Sequence, residues 1–233
     1  MAFLKSGFIS ASVCFLLGLA GPTRARDLNE HEQIFTSIYD QAVWGKNDQG
    51  VGFSGGGSLL CNTRAYINLL VNFMKEYGIG SVVDAGCGDW EFARFINWDG
   101  IEYRGYDIVG FVIEKNIQLY ASQNIHFFHA NFLETDLPSA DLLLCKDVLQ
   151  HLRNRDILEF LSQLKKFKYC LITNDVDPVT FSSANNDINI GSHHPLDLSR
   201  PPFNVQGTKL LNYSTGTEVK QIFFLDNTTV QAR

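Results

Sequence analysis

The chain has 233 residues, of which 45% are hydrophobic and 19% are charged, and its formal net charge is −6. This length and composition suffice for the core of one domain and leave little for a second, and the acidic balance argues against a basic nucleic-acid-binding surface. We therefore expect a single domain that does not bind nucleic acid.

The amino-terminal stretch has the pattern of a secretory signal peptide. One lysine lies within the first six residues, an apolar run covers residues 7–21, and Thr23-Arg24-Ala25 is a weak cleavage motif. The run is short for a membrane span. We predict that residues 1–25 are removed during export, by secretion, to a periplasm or into a secretory pathway, with an uncleaved anchor as the alternative. Cleavage would leave 17 basic and 25 acidic residues, a net charge of −8.

Residues 26–58 are predicted to form a helix and then a glycine-rich loop. Apolar residues at helical spacing precede Trp44, and residues 50–58 contain five glycines. Such a loop is either a flexible linker or a loop that lies against a ligand. We favour the second interpretation, because predicted folded elements flank the loop closely. Ser58, at its end, is in position to cap the next helix.

Residues 81–90, with the sequence SVVDAGCGDW, begin as an apolar run typical of a short buried strand and then break at Gly86 and Gly88. Residues 91–96 indicate the first turns of a helix. A strand, a glycine turn and a helix form a unit that binds nucleotides or nucleosides, since glycine lets a ligand lie against the backbone. A dinucleotide site would carry a third glycine where this chain has Glu91, which disfavours a nicotinamide dehydrogenase.

Four further segments are predicted strands that end in polar residues. They cover residues 101–107, 124–129, 140–145 and 168–173, and closing strands are predicted around 210–211 and 219–225, the last two being antiparallel. The carboxyl ends of parallel strands share the edge of the sheet that binds ligands. The polar residues expected at this edge are Asp107, Asn131, Lys146, Asp147, Gln150, His151 and Asp175.

Three residues at this edge have a specific interpretation. Asp107 lies 19 residues beyond Gly88, and a carboxylate at the tip of the second strand can accept hydrogen bonds from both hydroxyl groups of a ribose. The alternative is that Asp107 caps the following helix. Asn131, after the third strand, offers a side-chain oxygen as a hydrogen-bond acceptor. Phe132 either stacks on a ligand or packs in the core.

Cysteine and histidine spacing gives no sign of a disulfide framework or a metal site. Outside the predicted signal, Cys61, Cys87, Cys145 and Cys170 form no CxxC pair. The adjacent His193 and His194 would point apart on an extended chain, and no Cys/His/Asp cluster has the spacing of metal ligands. We therefore predict no bound metal. A loop as long as residues 176–204 is usually functional or a lid.

The order of these features resembles that of class I S-adenosylmethionine (SAM)-dependent methyltransferases. The resemblance covers roughly residues 59–225 and rests on Val82 to Gly88, Tyr106-Asp107, Asn131-Phe132 and Cys145 to Leu152. It implies an α/β fold, a Rossmann-like three-layer sandwich around a seven-stranded, mainly parallel sheet with one antiparallel strand. We take residues 26–233 as the methyltransferase domain, with residues 26–58 as its amino-terminal helix and lid loop and residues 59–225 as its core.

The resemblance also implies a distribution of roles around SAM. Asp84, Gly86 and Gly88 would contact the methionine end, Asp107 the ribose and Asn131 the adenine, where the family often has an acid. Phe132 and Lys146 belong to the same expected binding set, and Trp44, Ser54 and Ser58 would close over SAM. If the acceptor must lose a proton, the candidate bases are Asp147, His151 and Asp175.

We expect the chain to transfer a methyl group from SAM to a small-molecule or protein acceptor, with no stable membrane span after cleavage. The sulfonium of SAM is already activated, so the enzyme mainly has to align the reactants. The competing hypothesis is an exported binding protein or effector that keeps the fold without catalysis. It is motivated by the predicted signal peptide, because SAM is made in the cytosol.

Overall fold

The computed structural model of the protein describes residues 30–176 and 184–229. The predicted signal peptide, residues 1–25, lies outside the described residues, as do residues 177–183 within the predicted long loop and residues 230–233. The prediction of export therefore stays a prediction.

A seven-stranded sheet forms the centre of the molecule. Its strands are β1 (Ser81–Ala85), β2 (Glu102–Asp107), β3 (Ile125–His129), β4 (Ala140–Lys146), β5 (Phe167–Asp175), β6 (Thr208–Ser214) and β7 (Val219–Asp226). They lie in the order β3-β2-β1-β4-β5-β7-β6. Among these described strands only β7 runs antiparallel to its neighbours, β5 and β6. The prediction of a mainly parallel sheet with one antiparallel strand is confirmed.

Helices cover both faces of the sheet. They are α1 (Glu30–Asp40), α2 (Leu60–Glu76), α3 (Gly110–Tyr120) and α4 (Asn154–Ser162). Successive strand residues point to opposite faces, so Val82 of β1 joins the core cluster under α2, and Val83 joins the cluster under α4. This arrangement is the predicted three-layer sandwich. Among the helices of the described ranges, none combines the length and apolar character needed to cross a bilayer.

The segment after the glycine turn differs from its prediction. In place of the first turns of an α-helix, only a short 3-10 helix, Ala93–Phe95, follows, and the chain is extended again at Ile96. Trp90 has a left-handed backbone with φ of 57°, a conformation that an α-helix cannot contain. The indole of Trp98 also donates a hydrogen bond of 2.9 Å to the carbonyl of Ala93, which a longer helix would use itself.

The helix-capping role predicted for Ser58 is wrong. The capping position of α2 is Leu59, which makes no side-chain capping hydrogen bond. The Ser58 hydroxyl instead donates to the carbonyl of Gly55 at 2.7 Å and stabilises the 3-10 turn Gly56–Ser58 before the helix. The hydroxyl is thus engaged before the helix begins. Ser58 lines a cavity beside the glycine turn.

The strand order places a crevice at one edge of the sheet. The chain leaves β1 toward β2 and β3 on one side, whereas β4 and β5 lie on the other side. In open α/β sheets the ligand binds at such a switch point, beside the carboxyl ends of the strands. The amino-terminal residues 31–58 supply a second wall to this crevice.

Candidate active site

A cavity with a volume of about 860 Å³, counting the part open to solvent, occupies this crevice. One wall carries the glycine turn after β1, Asp107 at the end of β2, and Asp147 after β4. The fold thus brings three motifs that are far apart in the sequence to one cavity.

The glycine turn needs glycine for both conformation and space. Gly86 and Gly88 have φ of 82° and 55°, in the left-handed region that other residues rarely adopt. A Cβ atom on Gly86 would lie 2.4 Å from a methyl carbon of Val148, and one on Gly88 would lie 2.3 Å from the hydroxyl oxygen of Ser54. The turn therefore packs directly against two other segments of the site.

The carboxylate of Asp107 is tied to the same turn. It accepts a hydrogen bond of 2.9 Å from the backbone N–H of Gly88 and one of 3.0 Å from that of Val109. Burial raises the pKa of this carboxyl, while the backbone donors act in the opposite direction. A carboxylate has about four acceptor sites, so it can hold the turn and still accept hydrogen bonds from a ligand. The structural and the binding interpretation of Asp107 are compatible.

Asp89 is a site residue that the sequence analysis missed. Its Oδ2 atom accepts a hydrogen bond of 3.3 Å from the backbone of Ser54, but its Oδ1 atom is buried and accepts none from the described residues. A buried carboxylate oxygen without a donor is costly. Asp89 lines the cavity, so a small rotation of its side chain would let this oxygen accept a hydrogen bond from an ammonium or hydroxyl group of a ligand. Its position directly after Gly88 was the available sequence signal.

The glycine-rich loop and α1 form the opposite wall. The hydroxyl groups of Ser54 and Tyr39 lie 2.7 Å apart, and the backbone N–H of Asp89 donates to Ser54 Oγ at 3.0 Å. The ring of Trp44 lies 5.6 Å from the ring of Tyr39 and 5.0 Å from that of His151. The loop is therefore bonded to the cavity wall and does not extend away as a linker.

Asn131 and Phe132 line the cavity beside the end of β3. The side-chain oxygen of Asn131 accepts a hydrogen bond of 3.1 Å from the backbone of Leu133, and its amide donates to Glu134 at 3.0 Å. The oxygen has a second lone pair for a ligand. The ring of Phe132 packs edge-on against that of Phe160 at 5.1 Å, so Phe132 is a core residue that also borders the cavity.

Lys146 and Asp147 form a partly buried ion pair at the end of β4. The ammonium of Lys146 contacts the Asp147 carboxylate and donates to the carbonyl of Gly57 at 2.9 Å, and Lys220 lies 3.0 Å from the other carboxylate oxygen. Burial alone would raise the pKa of Asp147, but the two lysines outweigh it and hold that pKa below its ordinary value. Asp147 therefore lies between two ammonium groups, stays ionised, and is a weak proton acceptor.

His151 has a defined tautomer. Its Nδ1 atom lies 2.9 Å from the carbonyl oxygen of Ser192, which can only accept, so Nδ1 carries the proton and Nε2 presents a lone pair. The side-chain amide of Gln150 lies 3.4 Å from Nε2. Burial lowers the pKa of His151 to about 4, and the ring is neutral at pH 7. His151 thus places an uncharged ring at the cavity, and a hydrogen bond from a ligand to Nε2 would replace the long one from Gln150.

The sequence matches no protein-family model and no curated protein. It does match solved structures. Magnesium protoporphyrin IX methyltransferase from Synechocystis PCC 6803, with bound SAM, gives a TM-score of 0.58 at 14% identity over 84% of this chain and 96% of that chain. Human N-acetylserotonin methyltransferase in complex with SAM gives 0.53 at 15% identity, over 85% and 60%.

This chain has the class I SAM-dependent methyltransferase fold. The predicted fold is thereby confirmed. At such low identity the likeness concerns the fold, and function has to be argued from the residues of the cavity.

Two of the predicted site residues lie elsewhere in the methyltransferase fold. Asp84 is buried in β1, where the hydroxyl of Tyr103 donates to it at 2.7 Å, and burial raises the pKa of its carboxyl to about 7. Asp175, at the end of β5, lies 3.4 Å from the ring of His193. Neither carboxylate belongs to the cavity lining, because protein partners engage them in the core and in a neighbouring cluster.

Proposed function

We propose that the chain binds SAM in this cavity and transfers its methyl group to a small-molecule or protein acceptor. The observation that carries the proposal is the junction of the glycine turn with Asp107, joined by the 2.9 Å hydrogen bond from Gly88, at the ligand edge of a methyltransferase sheet. The solved methyltransferases of the same fold that contain SAM support the choice of cofactor.

The chemistry of the lining fits SAM. Asp107 would accept from the ribose hydroxyls, and the Asp89 oxygen that has no donor among the described residues would accept from the ammonium group or a hydroxyl. Apolar side chains from Ile108, Phe132 and Leu133 would flank the adenine. When bound, SAM supplies an electrophilic methyl group on a positively charged sulfur, so the protein mainly has to align donor and acceptor.

Among the three candidate bases, His151 suits the cavity best. Asp147 is pinned between two lysines, and Asp175 lies outside the lining, whereas the Nε2 lone pair of His151 belongs to a cavity residue. A pKa near 4 makes the ring a weak base. We therefore assign His151 the task of orienting a hydroxyl or amine of the acceptor by accepting its hydrogen bond.

The test is SAM binding by calorimetry with Asp107→Asn and Asp107→Ala. We expect one SAM per chain in the wild type and at least ten-fold weaker binding in Asp107→Ala, because a hydrogen bond to a charged group is worth about 1.5–3 kcal/mol. Asp107→Asn keeps an acceptor for one backbone N–H group and guards against simple misfolding.

Asp141→Ala is the matched control. The Asp141 carboxylate also accepts two backbone hydrogen bonds, each of 3.0 Å, from Gly80 and Ser81, but it does so at the opposite edge of the sheet. The Asp141→Ala variant should therefore be less stable than the wild type and bind SAM with the same affinity. An unchanged affinity in folded Asp107→Ala would refute the assignment of the ribose contact.

Catalysis needs a separate assay, because a fold can bind SAM without transferring its methyl group. SAM with a labelled methyl group, incubated with the protein and a cell lysate, should label a protein or a small molecule. Binding of SAM in calorimetry together with no labelled acceptor would favour the alternative, a binding protein or effector without catalytic activity.

A further inference from the structure

Three potential metal ligands converge beside the cavity. They belong to Asp175 at the end of β5, His193 in the segment that follows, and Glu218 immediately before β7, and one ligand atom of each lies within 4.8 Å of the other two. The pairing of β5 with β7 brings the two carboxylates together, since Asp175 lies opposite Lys220. Spacing along the chain gave no hint of this group.

The distances within the group suit a metal better than an ion pair. His193 Nε2 lies 3.4 Å from Asp175 Oδ2 and 3.4 Å from Glu218 Oε1. A charge-assisted hydrogen bond between nitrogen and carboxylate is shorter, about 2.7–2.9 Å. In a tetrahedral zinc site with bonds of about 2.1 Å, neighbouring ligand atoms are about 3.4 Å apart. The two carboxylates also lie within the 4.8 Å limit of the group.

The surroundings hold one ligand in place and leave one side of the group accessible. Lys220 Nζ lies 2.7 Å from Glu218 Oε2, which orients that carboxylate with its Oε1 atom toward His193. Such an outer partner typically tunes a metal site. The side chain of Asp175 is 3% exposed, whereas that of His193 is 37% exposed. A metal here would be held by the protein and still be open to water or another ligand.

We propose that Asp175, His193 and Glu218 bind one divalent transition-metal ion of the zinc class. One imidazole nitrogen and two carboxylate oxygens form a donor set that suits such ions, and three protein ligands leave at least one position open. The prediction of no metal considered only spacing along the chain, whereas these ligands come from three separate segments.

The site adjoins the proposed methyltransferase cavity. The ring of His193 lies 5.6 Å from that of His151, and Lys220 connects Glu218 to Asp147, with both His151 and Asp147 lining the cavity. The open position of the metal would therefore suit an oxygen of the methyl acceptor. This role rests on the proposed function, whereas metal binding itself does not.

The experiment is calorimetric titration of untagged, chelator-treated protein with Zn²⁺ alone, in the absence of SAM. All variants carry Cys61→Ser, because Cys61 is an exposed thiol that would bind zinc itself. We expect one saturable zinc ion per chain. His193→Ala and Glu218→Gln should each weaken zinc binding by at least about 100-fold, since the loss of an outer partner alone typically costs 10–100-fold.

His126→Ala is the matched control. His126 is a half-exposed imidazole 3.2 Å from a carboxylate, that of Glu102, and it lies on β3 outside the group, so zinc affinity should not change. Absence of saturable zinc binding by the parent protein, or equal affinity in His193→Ala, would overturn the proposal. SAM binding measured in EDTA decides the proposed function separately.

Discussion

Burial raises the pKa of Asp84 and lowers the pKa of His151. As a result, the two groups change the stability of the fold in opposite directions as the pH rises. The folded pKa of Asp84 is raised to about 7, so its protonated form stabilises the fold below pH 3.8 and this contribution is lost as the pH rises through 7. The folded pKa of His151 is lowered to about 4, so its contribution is present above pH 6.5 and is lost as the pH falls. In the wild type the two effects partly cancel.

The Asp84→Asn variant should show how much the Asp84 carboxyl contributes to the pH dependence of stability. The amide keeps an oxygen for the Tyr103 hydroxyl but cannot ionise, so the variant should gain stability relative to the wild type as the pH rises. A shift of about three pKa units sets an upper limit of roughly 4 kcal/mol. Urea unfolding of both proteins at pH 5 and at pH 8 measures the change. If the unfolding free energies of Asp84→Asn and the wild type differed by the same amount at both pH values, the prediction would be wrong.

At the scale of elements, the glycine turn after β1 and the turn after β4 constrain each other. Gly86 has φ of 82°, and an added Cβ atom would meet Val148 at 2.4 Å. Asp147, next to Val148, also has a left-handed backbone, with φ of 58°. Strained conformations of this kind persist where the surroundings enforce them, often at functional sites.

Gly86→Ala should therefore destabilise the protein by about 2–5 kcal/mol, from the left-handed backbone and from crowding. Gly100→Ala is the control, because Gly100 has φ of 75° but its Cβ position would meet no atom of the described residues within 4 Å, so it isolates the backbone cost. In Gly86→Ala with Val148→Ala the loss should be smaller than the sum of the single losses by about 1 kcal/mol or more. Additive losses in urea unfolding would count against the contact.

The segment after the glycine turn shows where reading elements from sequence fails. The apolar spacing of residues 91–96 fits a helix, yet Trp90 turns to φ of 57° and Trp98 binds the carbonyl of Ala93. Both indole rings belong to the core cluster under α2. Burial of two large rings outweighed the local helical preference. The spacing of apolar residues within this segment does not reveal that outcome, because it depends on packing against other elements.

At the scale of the whole molecule, the cavity joins the amino-terminal segment to the sheet. If SAM binds there, it contacts both walls and stabilises only the folded chain. At a SAM concentration 100 times the dissociation constant the expected gain is about 2.7 kcal/mol. For a chain of this size that corresponds to a rise in Tm of roughly 5–10 °C.

Differential scanning calorimetry with and without SAM measures this rise. Asp107→Asn should show a clearly smaller rise at the same SAM concentration, because its affinity is lower. A wild-type Tm that does not move at any SAM concentration would speak against binding in the cavity.

The sequence by itself determined the strands, the glycine turn, the position of Asp107 at the end of β2, and the fold class, because backbone preference and apolar alternation are local properties. Only the tertiary structure decided which partner each polar side chain meets. It pairs Asp84 with Tyr103, leaves one oxygen of Asp89 without a donor among the described residues, and gathers Asp175, His193 and Glu218. Such partnerships depend on which distant strands and loops become neighbours, and sequence spacing does not record that.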